Sequence, residues 1–152
     1  MVSLLALERW VPPHRYDQEV VARFVREWLA DGEGASPRLL GVYASAGVRS
    51  RSSAVPIESV FHPADFETQN RTYREIACRA GVDVAGRALA ASGLHPSEVG
   101  LVVSVSCTGF MIPAVDAHVA NALSLGPRLA RLRITESGCA GGVVGLSRAA
   151  DF

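Results

Sequence analysis

The sequence predicts an α/β fold, a layered arrangement with a mostly parallel sheet flanked by helices. Three observations carry this. Residues 100–107 form an apolar, β-branched run of the kind found in strands buried on both faces. Residues 113–125 then carry helical spacing, and residues 129–135 alternate as a second strand. A tight glycine turn at 138–142 leads into a helical pattern from Val143 onward. Strand, helix, strand, turn and helix in succession imply parallel strands joined by a crossover helix.

The elements upstream follow in order. Residues 2–7 read as a short buried strand, broken by Pro12-Pro13. Asp17 reads as an N-cap for a helix in which Val20, Val21, Phe24, Val25, Trp28 and Leu29 recur at helical spacing. Asp31-Gly32-Glu33-Gly34 ends it. Residues 37–46 read as a second helix stopped by Gly47, and residues 48–67 as irregular chain. The longest helix spans residues 68–92. Its apolar stripe holds Tyr73, Ile76, Ala77, Ala80, Val84, Ala88 and Leu89, with Gly93 as the glycine just past its end. Gly81 and Gly86 weaken it by roughly 1 kcal/mol each relative to alanine. Pro96 and Ser97 open a turn. No linker divides the chain, so residues 1–152 read as one domain.

Composition excludes several functions. Fifteen basic and fifteen acidic residues cancel, which argues against nucleic acid as a partner, since such binding needs clustered positive charge. With 49 % apolar and 20 % charged residues, the 152-residue chain is globular rather than disordered. All fifteen basic residues are arginine, so the chain supplies no lysine for a Schiff base. No run of about 18 apolar residues exists to span a membrane. The first residues lack a signal peptide's basic start. Three cysteines, Cys78, Cys107 and Cys139, make neither a disulfide framework nor a metal-ligand spacing. A reducing cytoplasm is the expected compartment.

The chemistry concentrates in Thr135-Glu136-Ser137-Gly138-Cys139-Ala140-Gly141-Gly142. A cysteine here stands where a strand turns into a helix, and the glycines allow a close approach of helix to sheet. Unpaired N–H groups and the positive end of the helix dipole favour thiolate over thiol. Thiolate is the form that attacks acyl carbonyls, and the same N–H groups can stabilise a developing oxyanion. A structural cysteine in a glycine-rich turn fits the residues equally well, and they leave both readings open.

Residues 103–113, Val-Ser-Val-Ser-Cys-Thr-Gly-Phe-Met-Ile-Pro, followed by Gly138-Cys139-Ala140-Gly141-Gly142, closely resemble the type III polyketide synthases. This is the chalcone synthase-like family of the thiolase superfamily. The spacing from Asp116 to Cys139 fits it. Gly47-Val48-Arg49-Ser50-Arg51, Pro56-Ile57-Glu58 and Asn70-Arg71-Thr72-Tyr73 look like its bacterial branch.

The resemblance covers nearly the whole chain and implies a thiolase-like layered fold, of which this chain is the N-terminal half. It implies that Cys139 takes an acyl group from coenzyme A as a thioester and that decarboxylating malonyl-CoA extends it. Coenzyme A thioesters are then substrates, and no separate cofactor or metal is implied. Cys107 and Thr108 match positions lining the polyketide cavity. Ile112 matches a position that reaches into the partner's cavity in a homodimer. Arg38, Arg49 and Arg51 are candidates for the coenzyme A phosphates, and solvated surface arginines are the competing reading.

The resemblance also implies a downstream histidine and asparagine that stabilise the thioester enolate. These would fall beyond Phe152, so the chain reads as truncated after the nucleophile's helix begins, and the 152-residue chain by itself as inactive in condensation. A non-catalytic thiolase-fold fragment or binding partner is the alternative. A β-ketoacyl synthase III-like condensing enzyme using acyl carrier protein is a weaker one, against which the Cys107–Pro113 segment speaks. Among the remaining residues, Cys78 reads as core, and the two tryptophans, Trp10 and Trp28, as core or staple residues. Cys107 also fits plain strand packing, and His118 reads as structural.

Overall fold

The computed structural model describes residues 2–30, 37–62 and 64–152, with Pro37, Arg38, Leu39 and Ala44 described by their backbone only. The chain divides into two compact units, Val11–Asp65 and the residues up to Trp10 with Phe66–Phe152.

The Val11–Asp65 unit contains β1 (His14–Asp17), α1 (Gln18–Ala30), α2 (Pro37–Ser45), β2 (Ser50–Ser53) and α3 (Ile57–Phe61). β1 and β2 pair antiparallel, His14 opposite Ser53 and Asp17 opposite Ser50. This corrects the irregular reading of residues 48–67. Neither strand carries an apolar alternation, and only their mutual pairing across more than thirty residues defines them. Asp17 ends β1 and stands immediately before α1. The expected stripe of α1 forms the core: Val21 and Val25 bury against Ile57, with Phe24 stacked on Phe61 at 5.6 Å. The Ile57 N–H donates to Tyr16 Oη at 3.0 Å, tying α3 to β1. Trp28 is 55 % exposed and meets Phe61 only at a tilt, so it is not a core residue.

The other unit contains α4 (Phe66–Ser92), a 3-10 turn (Pro96–Glu98), β3 (Leu101–Val105), α5 (Val115–Ala122), β4 (Ala130–Ile134), a second 3-10 turn (Gly138–Ala140) and α6 (Gly141–Asp151). β3 and β4 pair parallel, Leu101 opposite Ala130 and Val105 opposite Ile134. This is the predicted β-α-β-α order. Gly93 ends α4 at φ +73°, as its position past the helix predicts.

The strands place alternate side chains on opposite faces. Arg131 and Arg133 reach Asp116 on α5, whereas Val103, Val105 and Ile134 meet α6. The approach of α6 is close because Gly141 and Gly145 face the strands. A Cβ on Gly141 would lie 2.5 Å from Val105 Cγ1. On the other face, a Cβ at Gly81 would lie 2.9 Å from Val115 Cγ1, so this glycine lets α4 and α5 touch. What weakens the helix in isolation therefore serves its packing.

Three expectations are corrected in this unit. Residues 2–7 are extended but form no strand, and Leu4, Leu5 and Leu7 are exposed. An apolar run becomes a strand only where a partner accepts its backbone N–H and C=O groups, and no described residue pairs with it. The segment is held instead at its end, where Arg87 of α4 bonds the Glu8 carboxylate and the Arg9 carbonyl. β3 is half-buried rather than buried on both faces, with Val105 43 % exposed, because β4 is its one partner among the described residues. Helix α5 is shorter than residues 113–125. Ser124 adopts φ +51° and the Leu125 N–H returns to the Ala120 carbonyl, a left-handed helix end made without glycine. No helix among the described residues is long and apolar enough to cross a membrane.

Candidate functional site

β3 and β4 run side by side in the same direction, so the chains leaving them emerge at the same end of the sheet. The segment after β3 carries Cys107, Thr108 and Ile112, and the segment after β4 carries Cys139. The parallel pairing is therefore what brings the two motif stretches to one edge, although 32 positions separate the two cysteines.

The β4 segment is short. Gly138 takes φ +48°, a left-handed conformation that disfavours side chains with a Cβ. Cys139 follows it, exposed, two residues before the first residue of α6. The Ala140 N–H donates to the Ser137 carbonyl at 3.1 Å and the Gly141 N–H to the Gly138 carbonyl, so these two amides are taken up in closing the 3-10 turn.

The β3 segment is longer and leans on α4. Tyr73 Oη and Ser106 Oγ lie 2.6 Å apart, and the Phe110 N–H donates to Asn70 Oδ1 at 2.9 Å. A cavity of about 780 Å³ lies between this segment, α4, α5 and the strands. Cys107, Thr108 and Ile112 line it, with Tyr73, Asp116 and Arg133 among the other lining residues. Cys139 is not one of them. Ile112 is 99 % exposed, and Phe110 beside it is also exposed. Cys107 lies beyond the end of β3 and is exposed, so it does no strand packing.

Asp116 is the one buried charged residue among those described, at 0 % exposure. Arg133 Nε donates to its Oδ1 at 3.0 Å and Arg131 approaches Oδ2 at 3.5 Å, both guanidinium groups remaining partly exposed. The pair anchors α5 to β4, the strand that delivers the Cys139 turn. Sequence reasoning used Asp116 only for its spacing. The signal for its role is the alternation of Arg131 and Arg133 on one face of β4.

Cys78 lies half-buried in α4, and burial pushes its thiol up from the ordinary value, with the Arg74 guanidinium pulling the other way. His118 faces a recess with Arg71, Arg74 and Cys78, and its Nε2 is buried without a hydrogen-bond partner.

The arginine candidates lie in the Val11–Asp65 unit. Arg49 lines a recess of about 590 Å³ with Arg26, which the sequence did not single out, and with Asp17 and Glu19. The two carboxylates oppose an anionic ligand there. Arg51 is held, its Nε donating to Gln18 Oε1 at 3.0 Å and its guanidinium standing 5.6 Å from the centre of the Tyr43 ring. The Arg38 side chain lies outside the described residues.

A parallel strand pair lies between helices, with an exposed cysteine on a left-handed glycine turn after one strand and a cavity-lining segment after the other. In sequence and in its thiolase-like fold the chain is similar to type III polyketide synthases. No family model matches the chain. It is 35 % identical over 142 residues to the 1,3,6,8-tetrahydroxynaphthalene synthase of Streptomyces griseus, covering 93 % of this chain and 38 % of that protein. A phloroglucinol synthase of Pseudomonas fluorescens is 29 % identical over 144 residues, 93 % of this chain and 40 % of that protein.

Among solved structures, the tetrahydroxynaphthalene synthase of Streptomyces coelicolor, a bacterial type III polyketide synthase, superposes with TM-score 0.84 at 31 % identity. That match covers 94 % of this chain and 41 % of that one. A fungal type III polyketide synthase at 24 % identity shares the fold with TM-score 0.79, over 98 % of this chain and 40 % of that one. The chain thus spans about two fifths of the length of the curated relatives it matches.

Proposed function

We propose that this chain supplies the acyl-loading part of a type III polyketide synthase, with Cys139 as the nucleophile. The observation that carries this is the Gly138-Cys139 turn, an exposed thiol at the start of a helix that glycines seat against the strands. The Cys139 thiolate attacks the carbonyl of an acyl-CoA, the carbon–sulfur bond to coenzyme A breaks, and the coenzyme A thiolate leaves and takes a proton from solvent. Malonyl-CoA then loses carbon dioxide. Its carbanion attacks the Cys139 thioester, which returns the cysteine thiolate and forms a β-ketoacyl-CoA.

The cavity lined by Cys107, Thr108 and Ile112 supports the growing chain in this reading, with Ile112 at the contact with a second copy in a homodimer. Arg38, Arg49 and Arg51 remain candidates for the coenzyme A phosphates by charge alone, with Asp17 and Glu19 beside Arg49 weighing against it. No cofactor beyond the thioester substrates enters, and the cytoplasm is the compartment.

The test is incubation of the chain with acetyl-CoA and with a longer fatty acyl-CoA, followed by peptide mass mapping. A single acyl adduct on Cys139, released by hydroxylamine and missing from Cys139→Ala, is the expected result. Adducts spread evenly over Cys78, Cys107 and Cys139, or none at all, would overturn it.

A further inference from the structure

Cys107 and Thr108 line the cavity from residues 106–112, which have no regular secondary structure and whose tip is exposed at Phe110 and Ile112. Such a segment samples many conformations unless side chains restrain it. Two residues of α4 meet it at both ends. Asn70 and Tyr73 are three positions apart, so they project from the same helix face. Tyr73 bonds Ser106, immediately before Cys107, and Asn70 accepts from the Phe110 N–H, two residues beyond Thr108. Between them, a Cβ on Gly109 would lie 2.3 Å from Tyr73 Cγ and Cδ1. The backbone therefore lies against the base of the phenol ring, a part that rotamer changes move little. Cys107 and Thr108 are bracketed by one bond on each side and a steric seat.

We propose that Asn70 and Tyr73 are positioning residues that clamp the segment after β3 and so set the cavity wall formed by Cys107 and Thr108. The consequence for acyl-chain fit rests on the cavity reading above. The clamp itself does not, and its test leaves Cys139 out.

Amide exchange over residues 106–112 and iodoacetamide modification of Cys107 read the clamp, with the modification rate of Cys78 as the control for an intact fold. Asn70→Ala should accelerate exchange of the Phe110 amide about fivefold, the size expected for one net hydrogen bond. Asn70→Asp should restore the wild-type rate, because its carboxylate keeps an acceptor in place. Tyr73→Phe, Ser106→Ala and the double variant should each raise the Cys107 rate by the same factor, since each removes the same bond. Gly109→Ala should release both readouts together. Unchanged exchange in Asn70→Ala, or independent addition of Tyr73→Phe and Ser106→Ala, would overturn the proposal. Failure of acyl capture at Cys139 would leave all these readouts as they are.

Discussion

The segments that leave β3 and β4 begin at the same end of the same strand pair and each carries an exposed cysteine, yet they are built on opposite plans. The β4 segment is held by its own backbone. A left-handed Gly138 and a 3-10 turn carry it straight into α6, and Gly141 and Gly145 seat that helix on Val103, Val105 and Ile134. The β3 segment is held from outside, by Tyr73 and Asn70 on α4. If Cys139 is the nucleophile proposed above, its thiol needs a fixed turn to stand on, which local backbone geometry can supply. A cavity wall needs only a fixed surface, which side chains from a neighbouring helix can supply.

The largest expected effect separates the two cysteines outright. Cys139→Ala should abolish acyl capture from an acyl-CoA, whereas Cys107→Ala should keep it, measured by intact mass. Equal loss in both would erase the division of roles.

Next come the glycines. Gly141→Ala forces a methyl against Val105 and should cost about 1–3 kcal/mol, read as a fall of several degrees in melting temperature. Gly109→Ala meets Tyr73 in an exposed loop and should move the melting temperature far less. Equal destabilisation would mean that the β3 segment is as deeply integrated as α6. Asp116→Ala removes the carboxylate that Arg131 and Arg133 share. With both arginines partly exposed, the cost should be about 2 kcal/mol rather than the larger penalty of a fully buried pair.

A smaller effect compares an exposed thiol with a half-buried one. At neutral pH, iodoacetamide should modify Cys139 faster than Cys78, because Cys139 is exposed while burial raises the Cys78 thiol. Equal rates for Cys139 and Cys78 in the folded chain would sink this ranking.

The smallest is a pH effect at Cys78. Burial raises its thiol above the ordinary value, so its thiolate forms later than that of an exposed cysteine as pH rises. Its modification rate in the folded chain should therefore lag behind the rate in denaturant, most clearly around the ordinary thiol range. As pH rises through the ordinary thiol range the unfolded chain ionises first, so the contribution of this site to stability falls from there up to the raised folded value.

The legible parts of the sequence were those whose cause is local. The extent of α4, the left-handed Gly93 and the glycine turn around Cys139 all follow from backbone preferences and side-chain periods. The order of β3, α5, β4 and α6 follows from the same patterns. Illegible parts were those decided by a distant partner. His14–Asp17 and Ser50–Ser53 carry no strand signal alone and become strands only by pairing with each other. Residues 2–7 carry a strand signal and are not a strand. Ser124 ends α5 in a conformation usually given to glycine. In the site, the motif residues were visible, but Asn70, Tyr73 and Asp116 acquired roles only from what they touch.

By itself the sequence determined that a cysteine would stand on a glycine turn at the start of a helix, because that outcome needs only a few adjacent residues and their allowed dihedral angles. It determined the family likeness through the same short stretches. Tertiary structure alone decided that Cys107, Thr108 and Ile112 line one cavity while Cys139 stands outside its lining, and that a buried carboxylate with two arginines anchors the strand between them. The reason is physical. Turn conformation is a short-range property of the backbone, whereas a cavity and an ion pair depend on surfaces that meet only after the chain has folded.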